Sequence, residues 1–182
     1  MNMLASRGQL RASFLRWALF TVPLCVLLGF LSGQLGSPET AWFQSLVKPG
    51  IYPEPKWFGI VWTILYVMIG FALALVASAW GARGRTAALW VFAVHFALNL
   101  AWSYVFFGAQ QISGALALLV AIVLTLLVVI ALFWRVRRLA AVLLLPYLAW
   151  VCFATALNYQ FLQLNPQADG GTPEGAVERV RI

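Results

Sequence analysis

The stretch ISGALALLVAIVLTLLVVIALFW, residues 112–134, decides the fold. It holds no charged side chain and exceeds the roughly 20 apolar residues that a helix needs to cross a bilayer. A membrane barrel strand needs only about 9–11 residues. Backbone groups in hydrocarbon must bond internally, so a run of this length reads as a spanning helix. Working outward, four further segments have the same character: residues 14–34, 57–80, 86–107 and 139–164. The breaks between them are Gly81-Ala82-Arg83-Gly84-Arg85, Gly108-Ala109-Gln110-Gln111 and Arg135-Val136-Arg137-Arg138. The sequence therefore predicts an all-α membrane protein, a bundle of five transmembrane helices.

Composition agrees. Of 182 residues, 63% are hydrophobic and 9% charged, with a mean hydropathy of +0.90. A soluble domain carries about 25% charged residues. Too few charges remain to cover a water-facing surface, which excludes a soluble enzyme, a disordered chain and a nucleic-acid binder despite the net charge of +7. The partner implied is the lipid bilayer. Cys25 and Cys152 both lie inside apolar stretches, so core thiols are expected rather than a disulfide or a metal site.

The charges also predict direction. Arg7, Arg11, Arg16, Arg83, Arg85, Arg135, Arg137 and Arg138 fall on one side of the five spans, with no acid. Lys48, Lys56, Arg179 and Arg181 fall on the other, with all five acids. The positive-inside rule then places residues 1–13 in the cytoplasm and the C-terminus in the periplasm, as for a protein of the bacterial inner membrane. A signal-peptide reading of the N-terminus lacks an A-x-A site after the apolar stretch. Residues 14–165 form the expected membrane domain, and residues 166–182 a disordered polar tail.

The only long connection, residues 35–56, carries Pro38, Pro49, Pro53 and Pro55 with Trp42, Phe43 and Tyr52. Prolines stiffen such a loop, and it is expected to cap the helix ends. Helical spacing then sorts the polar and aromatic side chains. Trp62 and Tyr66 share a face of the second span, and His95, Asn99 and Trp102 share one of the third. On the fifth, Trp150, Ala154 and Leu157/Asn158 follow Pro146, which should kink the helix. Intramembrane His and Asn usually face the bundle interior. These stripes fit either a ligand cavity or plain interhelical packing. On the opposite side of the third span, Ala93, Ala97 and Ala101 form a small-residue series suited to close helix approach; Gly29 and Gly33 form a second on the first span. No span holds an acid, and no catalytic constellation or metal spacing emerges.

Several of these blocks resemble one family. Trp42-Phe-Gln-Ser-Leu-Val-Lys48-Pro49 is similar to a Trp followed by L-x-K-P, and Phe58-Gly59-Ile-Val-Trp62-Thr-Ile-Leu-Tyr66 to F-G-x-x-W-x-x-L-Y. Ala97-Leu98-Asn99-Leu-Ala-Trp102, running on to Phe106-Phe107-Gly108, resembles A-L-N-x-x-W-x-x-x-F-F-G. Pro146-Tyr147-Leu148-Ala149-Trp150 followed by Phe153-Ala154-Thr155-Ala156-Leu157-Asn158-Tyr159 resembles P-Y-L-A-W-x-x-F-A-T-x-L-N-Y. Together these resemble the tryptophan-rich sensory protein/translocator protein (TspO/MBR) family.

The resemblance implies a five-helix bundle, commonly dimeric, and a pocket for porphyrin or haem beneath the first loop; the alanine series on the third span is the expected homodimer seam, with internal packing as the alternative. Carried over as ligand-binding positions are Trp62, Tyr66, His95, Asn99, Trp150 and Ala154, with Lys48 and Pro49 in the closing loop. No cofactor is required, and light-dependent porphyrin breakdown is an activity of some members. Porphyrin export and a regulatory scaffold role are the alternatives. Ile51 and Glu54 depart from K-P-x-W-x-P-P, and His95 stands where many members have Gln. Tyr159 is followed by Gln160-Phe161-Leu162-Gln163, with no basic residue, so sterol binding is not implied.

Overall fold

A computed structural model describes residues 7–171. Its helices are α1 (Arg7–Gln34), α2 (Ala41–Ser45), α3 (Pro55–Ala77), α4 (Arg85–Ser103), α5 (Ile112–Val136), α6 (Arg138–Leu143) and α7 (Leu145–Leu164). Among the described residues, five stretches are long and apolar enough to cross a membrane, α6 and α7 together forming the fifth. Large apolar side chains such as Leu19, Phe20, Phe30, Trp90 and Leu124 face outward. In lipid that exposure carries no penalty. The same side chains would aggregate in water.

Several boundaries differ from the sequence reading, each for a local reason. α1 begins about two turns earlier, because residues 7–13 contain no proline and Gly8 falls in the first turn, where it interrupts no interior bond. α3 opens with Pro55 in its first turn, where a missing N–H costs nothing. α4 loosens over Tyr104–Gly108 into one wider turn of π type. The expected kink is a full break. α6 stops at Leu143, Leu144 stands between, and Pro146 opens α7 without an N–H to bond backwards. At the other end, disorder does not begin at residue 166: Pro166–Ala168 form a short 3₁₀ turn packed onto the bundle. The remainder of the expected disordered tail, residues 172–182, lies outside the described residues.

Packing follows membrane rules, with small residues at the seams. α1 lies along α3, and a Cβ added to Gly70 would meet the Val22 backbone at 2.6 Å. The Thr21 hydroxyl donates to the Gly70 carbonyl at 2.8 Å across the same seam. Such close approach is how membrane helices gain dispersion contact without a hydrophobic drive. Gly29 also faces inward, since a Cβ there would strike the Tyr66 ring. It is therefore a packing residue, while Gly33 is open. Ala93, Ala97 and Ala101 are exposed on the outer face of α4. Cys25 is buried as expected, but Cys152 faces outward and is not a core thiol.

The two bundle ends are built differently. The end where the arginines cluster is filled by Ala72, Val76, Ala88, Val129, Phe133, Ala140 and their neighbours, all buried. Its α3–α4 turn is closed by Arg85, whose guanidinium donates to the Ala77 carbonyl at 2.7 and 3.0 Å and lies over the Trp80 ring. The opposite end gathers a separate aromatic cluster around Trp42, Phe43, Phe106 and Phe161.

Candidate functional site: a roofed aromatic cavity

The roof is the loop of residues 35–54. Thr40 caps α2, accepting a bond from the Phe43 N–H at 3.3 Å. That turn drives Phe43 down among Phe106, Phe107, Phe161 and Tyr52, with ring centroids 5.1–6.2 Å away. Lys48 donates to the Phe43 and Leu46 carbonyls and covers the Phe43 ring. Partial burial lowers its pKa from the ordinary value. The segment after α7 then ties the roof down. The Trp42 indole donates to the Ala168 carbonyl at 3.1 Å, and Asn165 bonds both the N–H and the carbonyl of Val47. Asp169 accepts from the Ser113 N–H at 3.0 Å. Burial pushes its carboxyl up, but hydrogen bonds from Ser113 and the Ile112 backbone outweigh that and hold its pKa below the ordinary value. Gly170 donates to the Gln110 carbonyl at 2.9 Å.

Beneath the roof lies a cavity of about 240 Å³. Its walls come from α3 (Phe58, Trp62, Tyr66), α4 and its wide turn (Asn99, Trp102, Phe106, Phe107), and α7 (Trp150, Ala154, Leu157, Asn158, Phe161). Trp62 stacks on Tyr66 with centroids 5.4 Å apart, as their four-residue spacing predicts. Phe58 meets Trp150 edge to face at 5.9 Å. The wide turn aims Phe106 and Phe107 inward side by side. Among the polar atoms of these wall residues, the indole N–H groups of Trp102 and Trp150 and the Oδ1 of Asn158 are buried without a partner. A native interior rarely leaves such groups bare.

Five predicted site residues meet here: Trp62, Tyr66, Asn99, Trp150 and Ala154. Three do not. Lys48 and Pro49 lie outside the cavity wall, because the roof turns Lys48 back onto the α2 carbonyls and buries Pro49 above them. His95 sits a layer deeper, with Nδ1 2.9 Å from the Thr125 hydroxyl and Nε2 3.1 Å from that of Tyr147. Both ring nitrogens are engaged, which leaves neither lone pair for a haem iron in this arrangement. The sequence reading passed over Phe43, Tyr52, Phe58, Phe106 and Phe107 as wall residues. Their signal was present as an aromatic surplus clustered at one end of each element.

The fold and cavity define a class: a five-span helical membrane protein with a roofed, aromatic-lined cavity. The profile of the TspO/MBR family matches residues 21–164, and the chain belongs to that family. It is 39% identical over 147 residues to a tryptophan-rich protein TspO of Chlorobaculum tepidum, covering 80% of this chain and 93% of the relative. It is 36% identical to the protein CrtK of Rhodobacter capsulatus, over 74% and 84% of the two chains. The human translocator protein is 39% identical over 133 residues, 71% of this chain and 78% of that one.

Proposed function

We propose that this protein is a membrane sensor or regulator that binds a tetrapyrrole, protoporphyrin or haem, in the roofed cavity. The carrying observation is a roofed, aromatic-lined cavity three of whose wall residues, Trp102, Trp150 and Asn158, each keep a buried polar atom without a partner. Indole faces suit a flat macrocycle, and two N–H donors suit the carboxylates or carbonyls at its rim. The volume lies below the roughly 300–1,000 Å³ of typical small-molecule sites, so a whole macrocycle enters with the roof raised. The oxidisable indoles of Trp62, Trp102 and Trp150 would also stand against a photoexcited porphyrin, the requirement for light-driven breakdown.

The animal relatives carry the name translocator. Among the described residues, however, no Asp, Glu, Lys, Arg or His lines this cavity, which favours binding over coupled transport. Titrating purified protein with protoporphyrin should quench tryptophan fluorescence saturably. Unchanged fluorescence and affinity in Trp62→Phe and Trp150→Phe would sink the assignment.

Two further parts of the reading are open to direct tests. The arginine end faces the cytoplasm, so reporter fusions after Arg85 and Arg138 should both register there. The exposed Ala93, Ala97 and Ala101 join two copies, so Ala97→Phe should convert a dimer to a monomer that still binds porphyrin.

A further inference from the structure

Behind the cavity runs a buried chain of side chains from four helices. Thr125 (α5) meets His95 (α4) at 2.9 Å, and His95 meets Tyr147 (α7) at 3.1 Å. Tyr147 meets Asn99 (α4) at 2.9 Å, and Asn99 meets Tyr66 (α3) at 3.2 Å. Asn99 and Tyr66 are cavity-wall residues; Thr125, His95 and Tyr147 are not. Each hydroxyl has one proton, and a neutral imidazole donates from one nitrogen and accepts at the other. The chain can therefore be satisfied in two opposite senses.

In the first sense Thr125 donates to Nδ1, and Nε2–H donates to Tyr147. Tyr147 then donates to the Asn99 Oδ1, and the Asn99 amide donates to Tyr66. The Tyr66 proton is left unspent, and the wall offers a donor. In the second sense Nδ1–H donates to Thr125, whose own proton goes to the Ala121 carbonyl 2.8 Å away. Tyr147 now donates to Nε2, and the Asn99 amide turns over. It donates to Tyr147 and accepts from Tyr66, so Tyr66 offers only lone pairs. The heavy atoms hardly differ between the two senses.

We propose that His95 is a positioning residue whose tautomer decides whether Tyr66 presents a hydrogen-bond donor or an acceptor to the cavity, matching it to ligands of either kind. This rests on the cavity being a ligand site. It adds a rule of specificity acting from outside the wall.

Fluorenone and carbazole make the test: flat tricycles of nearly equal size, one with only a carbonyl acceptor, the other with only an N–H donor. His95 is the single histidine, so full-length protein labelled with ¹⁵N-histidine in nanodiscs shows one pair of ring nitrogens. Saturating fluorenone should hold the proton on Nε2, and saturating carbazole should move it to Nδ1. Thr125→Val takes the partner of Nδ1 in both senses, but a bare buried N–H is tolerated less than a bare lone pair, so the second sense loses more. It should shift the fluorenone-to-carbazole affinity ratio about fivefold to tenfold toward fluorenone, and Thr125→Ser should restore it. Both probes binding with identical ring-nitrogen patterns would overturn the inference and leave the cavity standing. Failure of both to quench tryptophan fluorescence would overturn the cavity reading, and this inference with it.

Discussion

The two ends of the bundle use the same five spans to opposite effect. At the arginine end, small and medium side chains from α3, α4, α5 and α6 close completely, and Phe133 is wholly buried with its ring stacked on Phe92. At the loop end, rings stand edge to face around an empty centre, and buried polar atoms are left without partners. One end spends its contacts on cohesion. The other leaves contacts unmade around a cavity. The lesson lies in residue size: Ala and Val at a seam let backbones meet, whereas Trp and Phe at corresponding heights hold them apart.

The largest test of that contrast is truncation at each end. Phe133→Ala should destabilise the protein by about 3–5 kcal/mol, measured by unfolding in detergent, because its site cannot collapse. Phe58→Ala, on a wall already facing empty space, should cost about 1–2 kcal/mol yet weaken protoporphyrin binding clearly. Equal costs would mean that the loop end is as tightly packed as the other. Next comes Gly29, which gives the Tyr66 ring its place. Gly29→Val should displace that ring, destabilise the protein by about 1–3 kcal/mol as overpacking does, and lower protoporphyrin affinity about tenfold, a loss that fluorescence titration would reveal.

A smaller effect belongs to the tie that holds the roof. The folded-state pKa of Asp169 lies below its ordinary value. Its contribution is therefore present above the ordinary carboxylate range and lost as pH falls through the lower, folded value. Hydrogen exchange at the Ser113 and Gly170 amides should accelerate over that acidic window, with no matching change at the arginine end. Asp169→Asn should remove the pH dependence. The smallest effect is on affinity in Trp62→Phe and Trp150→Phe, each worth about 0.5–1.5 kcal/mol and read as a few-fold rise in Kd. Any light-driven breakdown should fall further, because the indole itself is gone.

Much of this was legible in the sequence. Spans announce themselves by length and apolarity, and the i, i+4 spacing of Trp62 with Tyr66 and of His95 with Asn99 identified the inward faces correctly. Depth along a face was not legible. His95 and Asn99 share one stripe of α4, yet only Asn99 reaches the cavity, because Tyr147 from α7 stands between it and His95. The roof was legible as a cap but not in its contacts. Lys48 folds back on carbonyls only five and two residues away, a local turn that no periodicity encodes. The ordered segment at 166–171 escaped the reading because its polar composition imitates disorder, while its partners lie far off in sequence.

That distance carries a consequence for how the protein is made. The bond from Trp42 to Ala168 joins positions 126 residues apart, so the roof cannot be fastened until the fifth span has left the ribosome and crossed the bilayer. Contacts of such separation form late, after local helices and neighbouring spans have paired. The α7 wall arrives with that same span, so only between its insertion and the docking of residues 165–170 does the chamber have its walls without its fastening. A chain that stops short of residue 165 would keep the walls and never acquire the latch.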